Sequence, residues 1–522
     1  MRQQRTYYFI FCCCLALLWH TNATGGTISM ELRKTMALNN PASEVNILIK
    51  FAQLPQTQQL SSLAPAKRGQ HLASLKIQAA QSQQLVKNIL LSAHAQNIRS
   101  LWIANTLAAR VPTQLIEHIA RQPGVVEVTP DTVIRLPATN VISTAQTSTW
   151  NIELTGADQL RQQGHEGQGV VIAIVDTGVD SQHQDLLGSW RGGSNSWYDP
   201  NGEHNTPYDH DGHGTQVAGI ILGSDSGGSV IGMAPAASWI GVKIFNDTGD
   251  AAYSAIHLGF QWLLDPDNNP LTNDLPDIIN NSWGLNSLVD QCSTEFQPDI
   301  QLLRASGISV IFSAGNAGPT ASTSISPANN SGGLAVGGID RTQNVTVFSS
   351  RGPTPCNGNI YPHLMAPAVE IRTTDLTFNG VFPDNYAEVN GTSFAAPHIA
   401  GGMALVKSGH PWINSDELFQ LLTLSARDLG EPGSDFDTGF GLLDLGAAVD
   451  LLDTHTCTAT DGSLFFNPNG CSGSFQPGSK HIPAILHLLL STLFSRNNDG
   501  ALLSHLAGLD NLHSTPFQWG KL

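Results

Sequence analysis

Ser393 is the residue in this sequence best placed to act as a nucleophile. It follows Gly391-Thr392 and precedes an apolar run of small residues, Phe394 to Val406, which predicts a buried helix. A serine at a helix N-terminus lies among backbone N–H groups that lack helical partners, and at the positive end of the helix dipole. Both features stabilise an oxyanion, so the pattern indicates acyl transfer through a serine hydroxyl.

A general base and an orienting carboxylate for this serine occur earlier in the chain. A serine hydroxyl attacks slowly unless a neighbouring base takes its proton. His213 lies between two glycines in Asp211-Gly212-His213-Gly214-Thr215, and Asp176 ends an apolar run that starts at Gly169. The chain order is Asp, His, Ser, with spacings of 37 and 180 residues. We therefore predict an Asp-His-Ser catalytic set.

The elements that carry these residues are typical of an α/β fold. The run Val170–Val175 is apolar throughout, as expected for a central strand of a parallel sheet covered on both faces. Asp176 then lies at the carboxyl end of a strand, where α/β sheets carry their functional residues. A second apolar run, Ile308–Phe312, leads into Ser313-Ala314-Gly315-Asn316. We predict a mainly parallel central sheet flanked by helices.

Five segments resemble motifs of the subtilisin-like (subtilase) serine proteases, and most closely those of the bacillopeptidase F group. The resemblance extends from about Trp150 to Leu445, with the motifs in the family's order. They are Asp176-Thr177-Gly178, His213-Gly214-Thr215, Asn280-Asn281-Ser282-Trp283-Gly284, Ser313-Ala314-Gly315-Asn316 and Gly391-Thr392-Ser393. The resemblance implies a subtilisin-like catalytic domain.

The resemblance also implies a role for each motif. Asp176, His213 and Ser393 would form the catalytic triad, and Asn316 would donate its amide to the oxyanion. The residues implied to line the substrate cleft are Ser282, Trp283, Gly284, Ser313, Ala314 and Gly315. Their backbone would pair with an extended substrate, which gives affinity with little demand on sequence. Trp283 could instead be a core residue.

The predicted reaction is hydrolysis of peptide bonds in proteins or peptides, with no cofactor required for the chemistry. Two other classes use the same scaffold: an inactive binding protein, and a peptide ligase or acyl transferase. The intact candidate triad and Asn316 disfavour the first class. Product analysis with an added amine nucleophile separates the second from a hydrolase.

The composition is that of a globular protein with unevenly distributed charge. The 522 residues are 41% hydrophobic and 13% charged, and the formal net charge is −17. Residues 24–140 contain eleven Lys/Arg and five Asp/Glu, whereas residues 141–522 contain twelve and thirty-seven. The acidic part disfavours nucleic acid as a partner. The contrast reflects either solubility or attraction between a basic segment and an acidic domain.

The order of segments predicts a secreted proenzyme. Residues 1–23 have a positive start and a short apolar run, which predict a signal peptide and an extracellular or periplasmic protein. Residues 24–140, called the leader below, predict strands at 45–51, 101–105 and 124–128 with helices at 70–95 and 112–122. This order resembles the α+β inhibitor-type propeptide of secreted subtilases, which assists folding and then blocks the active site. The leader is thus an expected partner of the peptidase domain, residues 141–454, called the catalytic domain below.

Residues 455–522 form a predicted C-terminal extension. It contains a Cys457–Cys471 loop and two stripes of apolar residues at helical spacing, which predict a helical hairpin. Packing against the catalytic domain is the favoured interpretation, and membrane contact by these helices is the less favoured one.

Cysteine usage and one aspartate give the remaining expectations. Four cysteines lie outside the signal segment, which fits an oxidising compartment. Of the three pairings that they allow, we favour Cys457–Cys471, which closes a short loop, and therefore Cys292–Cys356. Free thiols are the alternative. Asp185 matches a residue that ligates calcium in several subtilases, so a structural calcium ion is possible. The favoured interpretation is that the loop that would complete this site is simply an exposed polar loop.

Overall fold

A computed structural model describes residues 25–54, 60, 63, 65–136, 140–142, 149–378, 380, 384–459 and 461–471. The predicted signal peptide and the predicted C-terminal helical hairpin lie outside these ranges. No helix within them combines the length and the apolarity needed to cross a bilayer.

The leader forms a five-stranded sheet in the order β1-β5-β2-β4-β3, in which all neighbours are antiparallel except β1 and β5. Its elements are β1 (Thr27–Ile28), α1 (Met30–Leu38), β2 (Glu44–Phe51), α2 (Pro65–Ser92), β3 (Gln96–Leu101), β4 (Thr106–Pro112), α3 (Thr113–Ala120) and β5 (Val125–Pro130). A cluster of buried side chains that includes Ile47, Ile49, Val111 and Val128 gives the leader a core of its own.

One strand predicted in the leader is wrong. The apolar segment 101–105 is the junction between two antiparallel strands, β3 and β4. A short 3₁₀ turn, Trp102–Ala104, reverses the chain, and Asn105 follows it with a left-handed backbone, φ 45°. Asparagine tolerates this conformation better than most residues. The apolar turn residues are buried because they pack against the catalytic domain.

Two short strands follow the leader sheet, and both pair with the catalytic domain. They are β6 (Val133–Arg135) and β7 (Asn140–Ile142). The elements of the catalytic domain up to its fourth main strand are α4 (Trp150–Thr155), α5 (Ala157–Gln162), β8 (Val171–Asp176), β9 (Trp197–Tyr198), α6 (His213–Leu222), β10 (Ser238–Lys243), β11 (Asp250–Ala252), α7 (Tyr253–Leu263), β12 (Ile278–Asn281), α8 (Gln297–Ala305) and β13 (Ser309–Ser313).

The remaining elements complete the domain and begin the C-terminal extension. They are β14 (Leu334–Ile339), β15 (Leu364–Pro367), β16 (Ile371–Thr374), β17 (Tyr386–Asn390), α9 (Thr392–Gly409), α10 (Ser415–Leu424), α11 (Leu445–His455), β18 (Thr456–Thr458) and β19 (Leu464–Phe466). Strands β18 and β19 form a hairpin inside the predicted cysteine loop.

The central sheet has seven parallel strands in the order β15-β14-β13-β12-β8-β10-β9, which confirms the predicted fold class. From β8 the chain proceeds through β9 and β10 on one side, and then from β12 to β15 on the other. The sheet therefore has a switch point between β8 and β12. Ligands of open α/β sheets bind in the crevice outside the carboxyl ends of the strands at such a point.

Both predicted disulfides are present. Cys292 pairs with Cys356, and Cys457 pairs with Cys471. The first bridge links the segment before α8 to the segment before β15, and Asn330 Nδ2 lies 3.5 Å from Cys356 Sγ. The bridge and this contact therefore bring three segments of the chain together.

Candidate active site

Asp176 and His213 form a buried pair at the carboxyl end of β8. The Nδ1 atom of His213 lies 2.7 Å from Asp176 Oδ1, and both side chains are inaccessible to solvent. Burial alone lowers the pKa of His213, but the Asp176 carboxylate outweighs it, with help from Asp211 and Asp209, and the pKa lies above 6.5. A hydrogen bond from Nδ1–H to Asp176 leaves Nε2 as the nitrogen that can accept a proton.

The turn before α6 is shaped by Asp209, which sequence analysis did not single out. This buried carboxylate accepts hydrogen bonds from the backbone N–H groups of Asp211, Gly212 and Thr215, and from the Thr215 hydroxyl. The signal for it was an aspartate two residues before Asp211-Gly212, a pattern typical of Asx turns. His213 can then begin α6 facing Asp176.

Gly214 allows α6 to approach β8 closely. A Cβ atom at this position would lie 2.0 Å from the carbonyl oxygen of Gly178, so any other residue would push the helix away. Instead, the Gly214 N–H donates to Thr177 Oγ1 at 2.9 Å. This contact ties the first turn of α6 to the segment that carries Asp176.

Ser393 is the second residue of α9, as predicted, and is half-buried. Helices α6 and α9 pack against each other, and the rings of His213 and Phe394 have centroids 5.5 Å apart. The Ser393 hydroxyl donates to the carbonyl of Ser282 at 3.1 Å. In this conformation the hydroxyl therefore points to the strand end of β12.

Asn316 lies beside the start of α9 and is exposed to the cleft. Its Oδ1 atom accepts hydrogen bonds from Thr392 N at 3.0 Å and from Thr392 Oγ1 at 2.8 Å. With the oxygen held in this way, Nδ2 is left to donate, and it lies 3.5 Å from the Cβ position of Gly391. Thr392 is thus a positioning residue that sequence analysis quoted only as part of a motif.

The predicted cleft residues lie at the carboxyl ends of two neighbouring strands. Ser282 to Gly284 follow β12, and Ser313 ends β13. A small cavity beside Ser393 is lined by residues of both segments: Ser282, Trp283, Gly284, Asn286, Ser313, Gly315, Asn316, Thr392 and Ser393. Ala314 is buried, and its carbonyl accepts a hydrogen bond from the Tyr361 hydroxyl.

Trp283 is both a core residue and a neighbour of the cleft. It is 2% exposed and contacts Phe260, Phe296 and Phe312 within an aromatic cluster below the sheet. It also lines the cavity beside Ser393. Both interpretations offered by the sequence therefore describe part of its environment.

The surroundings of Asp185 do not fit a calcium site. Its Oδ1 atom accepts hydrogen bonds from Ser224 Oγ and Ser226 N, and its Oδ2 atom accepts one from the Tyr386 hydroxyl. Calcium requires six to eight oxygen ligands. The Ser226 N–H instead donates to the Asp185 carboxylate, and an N–H group binds an anion and not a cation. Asp185 connects the loop after α6 to β17 in this structure.

Another group of potential ligands lies elsewhere in the described part of the chain. Glu203, His204 and Asp247 have ligand atoms within 4.8 Å of one another. However, the Lys243 ammonium lies 3.1 Å from Asp247 Oδ1, and His204 Nε2 lies 2.8 Å from Asp247 Oδ2. Since Asp247 already has cationic and polar partners, this group does not call for a metal ion.

The geometry defines a class of protein. A carboxylate, an imidazole and a serine at a helix N-terminus meet at the carboxyl edge of a parallel sheet, as in serine proteases of the α/β type. The subtilase family model matches residues 167–441, and the chain belongs to this family of serine endopeptidases.

Individual relatives agree with this assignment. Bacillopeptidase F of Bacillus subtilis is 31% identical over 432 residues, which cover 76% of this chain and 29% of that protein. Subtilisin DY of Bacillus licheniformis is 34% identical over 308 residues, which cover 58% of this chain and all of that protein. Subtilisin E of Bacillus subtilis is 32% identical over 347 residues, 66% of this chain and 81% of that protein. The chain thus spans less than a third of bacillopeptidase F and the full length of subtilisin DY.

Proposed function

We propose that this protein is a secreted, self-processing endopeptidase in which Ser393 attacks the scissile carbonyl. His213 takes the serine proton at Nε2 and returns it to the leaving amine, while Asp176 holds the ring and stabilises its charged form. Water then releases the acyl group by the same route. The observation that carries the proposal is the buried 2.7 Å contact between His213 and Asp176 beside the start of α9.

Asn316 is the proposed side-chain donor to the oxyanion, together with the N–H of Ser393. Its amide oxygen is held by two groups of Thr392, so the donor is oriented before the substrate binds. A donor that needs no reorganisation stabilises charge that appears only in the transition state. No cofactor takes part in this chemistry.

We further propose that the leader is an inhibitor that covers the catalytic domain. Leader side chains such as Leu48, Leu75 and Ile103 share one buried cluster with Phe260 of α7 and Phe296 before α8. Burying these apolar side chains away from water favours association of the leader with the catalytic domain.

Polar contacts add orientation to this interface. Asp131 of the leader accepts hydrogen bonds from the Ser254 N–H at 2.9 Å and from the Ser254 hydroxyl at 2.6 Å, at the start of α7. It therefore caps a helix of the catalytic domain. Lys50 and Arg135 form ion pairs with Glu295 and Asp250. These contacts give the basic leader and the acidic domain a specific pairing.

Two strands that flank residues 136–139 in the chain, β6 and β7, support a position for self-cleavage. Strand β6 pairs with β11, and β7 pairs with β17, which ends two residues before Thr392. We infer that the bond cut in self-processing lies between residues 135 and 140. This range overlaps the start of residues 137–148, a segment rich in Thr, Ser and Ala.

The test compares wild type with Ser393→Ala, both purified from the culture medium. Casein hydrolysis and intact mass are measured on each. The proposal expects casein digestion and loss of about the first 140 residues only for wild type. A matured wild type that cleaves neither casein nor peptides would support the inactive binding protein instead. Transfer of peptide to an added amine in preference to water would support a ligase.

A further inference from the structure

The cavity beside Ser393 is very small for a substrate side-chain pocket. Its volume is about 20 Å³, and a cavity needs roughly 10–15 Å³ to hold one water molecule. The cavity therefore accepts a group about the size of a methyl. Its position beside the nucleophile makes it the site for the residue whose carbonyl is attacked, which is the P1 residue.

Two of the glycines that line this cavity, Gly284 and Gly315, both lie against the side chain of Ile325. A Cβ atom on Gly315 would lie 2.3 Å from Cδ1 of Ile325, and a Cβ atom on Gly284 would lie 2.8 Å from Cγ2 of the same residue. The isoleucine thus contacts the backbone of both cleft segments. It is 2% exposed, so it is packed into the site and does not cover it from outside.

Several contacts hold Ile325 in this position. Its N–H faces the Tyr361 hydroxyl at 3.4 Å, and that hydroxyl donates to the carbonyl of Ala314, next to Gly315. The following residue, Ser326, accepts a hydrogen bond from Ser293 N at 2.9 Å and lies 2.7 Å from Asn329 Oδ1.

Hydrogen bonds also connect the segment to a nearby disulfide. Ser293 is adjacent to Cys292, whose disulfide partner Cys356 lies 3.5 Å from Asn329 Oδ1. A large P1 side chain could enter only if this connected segment moved as a whole.

We propose that Ile325 closes the P1 pocket and restricts this enzyme to substrates with small P1 residues, namely glycine, alanine and serine. The inference rests on the proposed function and names its substrate class. A rigid pocket discriminates against each additional methylene by about 10–200-fold. A phenylalanine side chain exceeds the available space by far more than one methylene.

The test uses mature enzyme and a set of peptides that differ only at P1, with glycine, alanine, serine, leucine or phenylalanine. For wild type, kcat/KM for the alanine peptide should exceed that for the phenylalanine peptide by more than 100-fold. In Ile325→Ala, kcat/KM for the phenylalanine peptide should rise at least 10-fold relative to the alanine peptide. Because the ratio is taken within one preparation, it does not depend on how much of the protein is folded.

Two further variants complete the test. Ile300→Ala removes the same atoms from a fully buried site in α8 and should leave the P1 ratio unchanged. Ile325→Val removes a single carbon, is tolerated in most cores, and should shift the preference toward leucine. If Ile325→Ala does not fold, the P1 preference of Ile325→Val alone tests whether Ile325 restricts the pocket.

The outcomes separate the two proposals. Wild type that cleaves the phenylalanine peptide as fast as the alanine peptide overturns the inference but leaves the endopeptidase intact. Equal P1 ratios for wild type and both Ile325 variants also overturn it. An enzyme that cleaves none of the peptides, and does not react with a fluorophosphonate at Ser393, overturns the proposed function and the inference with it.

Discussion

Substitution of Lys50 should weaken the inhibitory hold of the leader without unfolding either partner. The Lys50 ammonium lies 2.7 Å from Glu295 Oε2 and 3.5 Å from Glu127 Oε2, and the Lys50 and Glu295 side chains are 25% and 11% exposed. Exposed pairs contribute at most about 1 kcal/mol, whereas breaking a buried interfacial pair costs about 2–5 kcal/mol. His257 Nε2 lies 3.4 Å from Glu295 Oε1 and remains as its second cation. We therefore expect a loss of about 1–3 kcal/mol for Lys50→Met, which raises the inhibition constant about 5–150-fold.

The assay adds separately produced leader, residues 24–140, to mature enzyme and measures the inhibition constant at low and high salt. Lys87→Met is the matched control, because Lys87 is exposed on α2 and the charge change is the same. A cycle with Glu295→Gln isolates the coupling between the two residues. Equal inhibition by the Lys50 and Lys87 variants, or zero coupling in the cycle, would refute the reasoning.

Three further predictions concern Asn316, His213 and His257. Asn316→Ala should lower kcat about 10²–10³-fold with little change in KM, measured by initial rates, because the lost donor acts only in the transition state; an unchanged kcat would remove Asn316 from the mechanism. The acid limb of kcat/KM should lie above pH 6.5, since burial lowers the pKa of His213 but Asp176 raises it further, and the base must be unprotonated. Asp176→Asn should move this limb to lower pH, and a limb that stayed in place would contradict the assignment. Burial lowers the pKa of His257, but Asp299 and Glu295 raise it to about 10, so its stabilising contribution is complete below pH 6.5 and is lost as the pH rises toward 10. The urea concentration at the unfolding midpoint of full-length Ser393→Ala should accordingly decrease as the pH rises from 6.5 to 10. Adding His257→Gln should make this decrease smaller. An equal decrease with and without His257→Gln would contradict the prediction.

The parts of the site that lie in contiguous motifs were predictable from the sequence. Asp176 was placed at the carboxyl end of a buried strand and Ser393 at the start of a helix, and both elements are present. These predictions succeeded because apolar runs and small-residue runs are local signals of burial. The predicted parallel sheet followed from the same runs.

Features that depend on distant contacts were not predictable. Ile325 is separated from Gly284 and Gly315 in the chain, and only the packing of the folded loops brings its side chain between them. The same applies to the apolar segment 101–105, where burial comes from the catalytic domain and not from a sheet. A short apolar run of this kind predicts a strand, although here it forms a buried turn.

The disulfides connect cysteines in the order in which they occur along the chain. Cys292 pairs with the next cysteine, Cys356, and Cys457 pairs with the next, Cys471. A chain that crosses a membrane from its N-terminus presents its cysteines one at a time. Each could then oxidise with the first partner that follows it, provided that Cys12, Cys13 and Cys14 leave with the predicted signal peptide. If the protein is exported as proposed, these bridges would form without any disulfide having to be broken and rejoined.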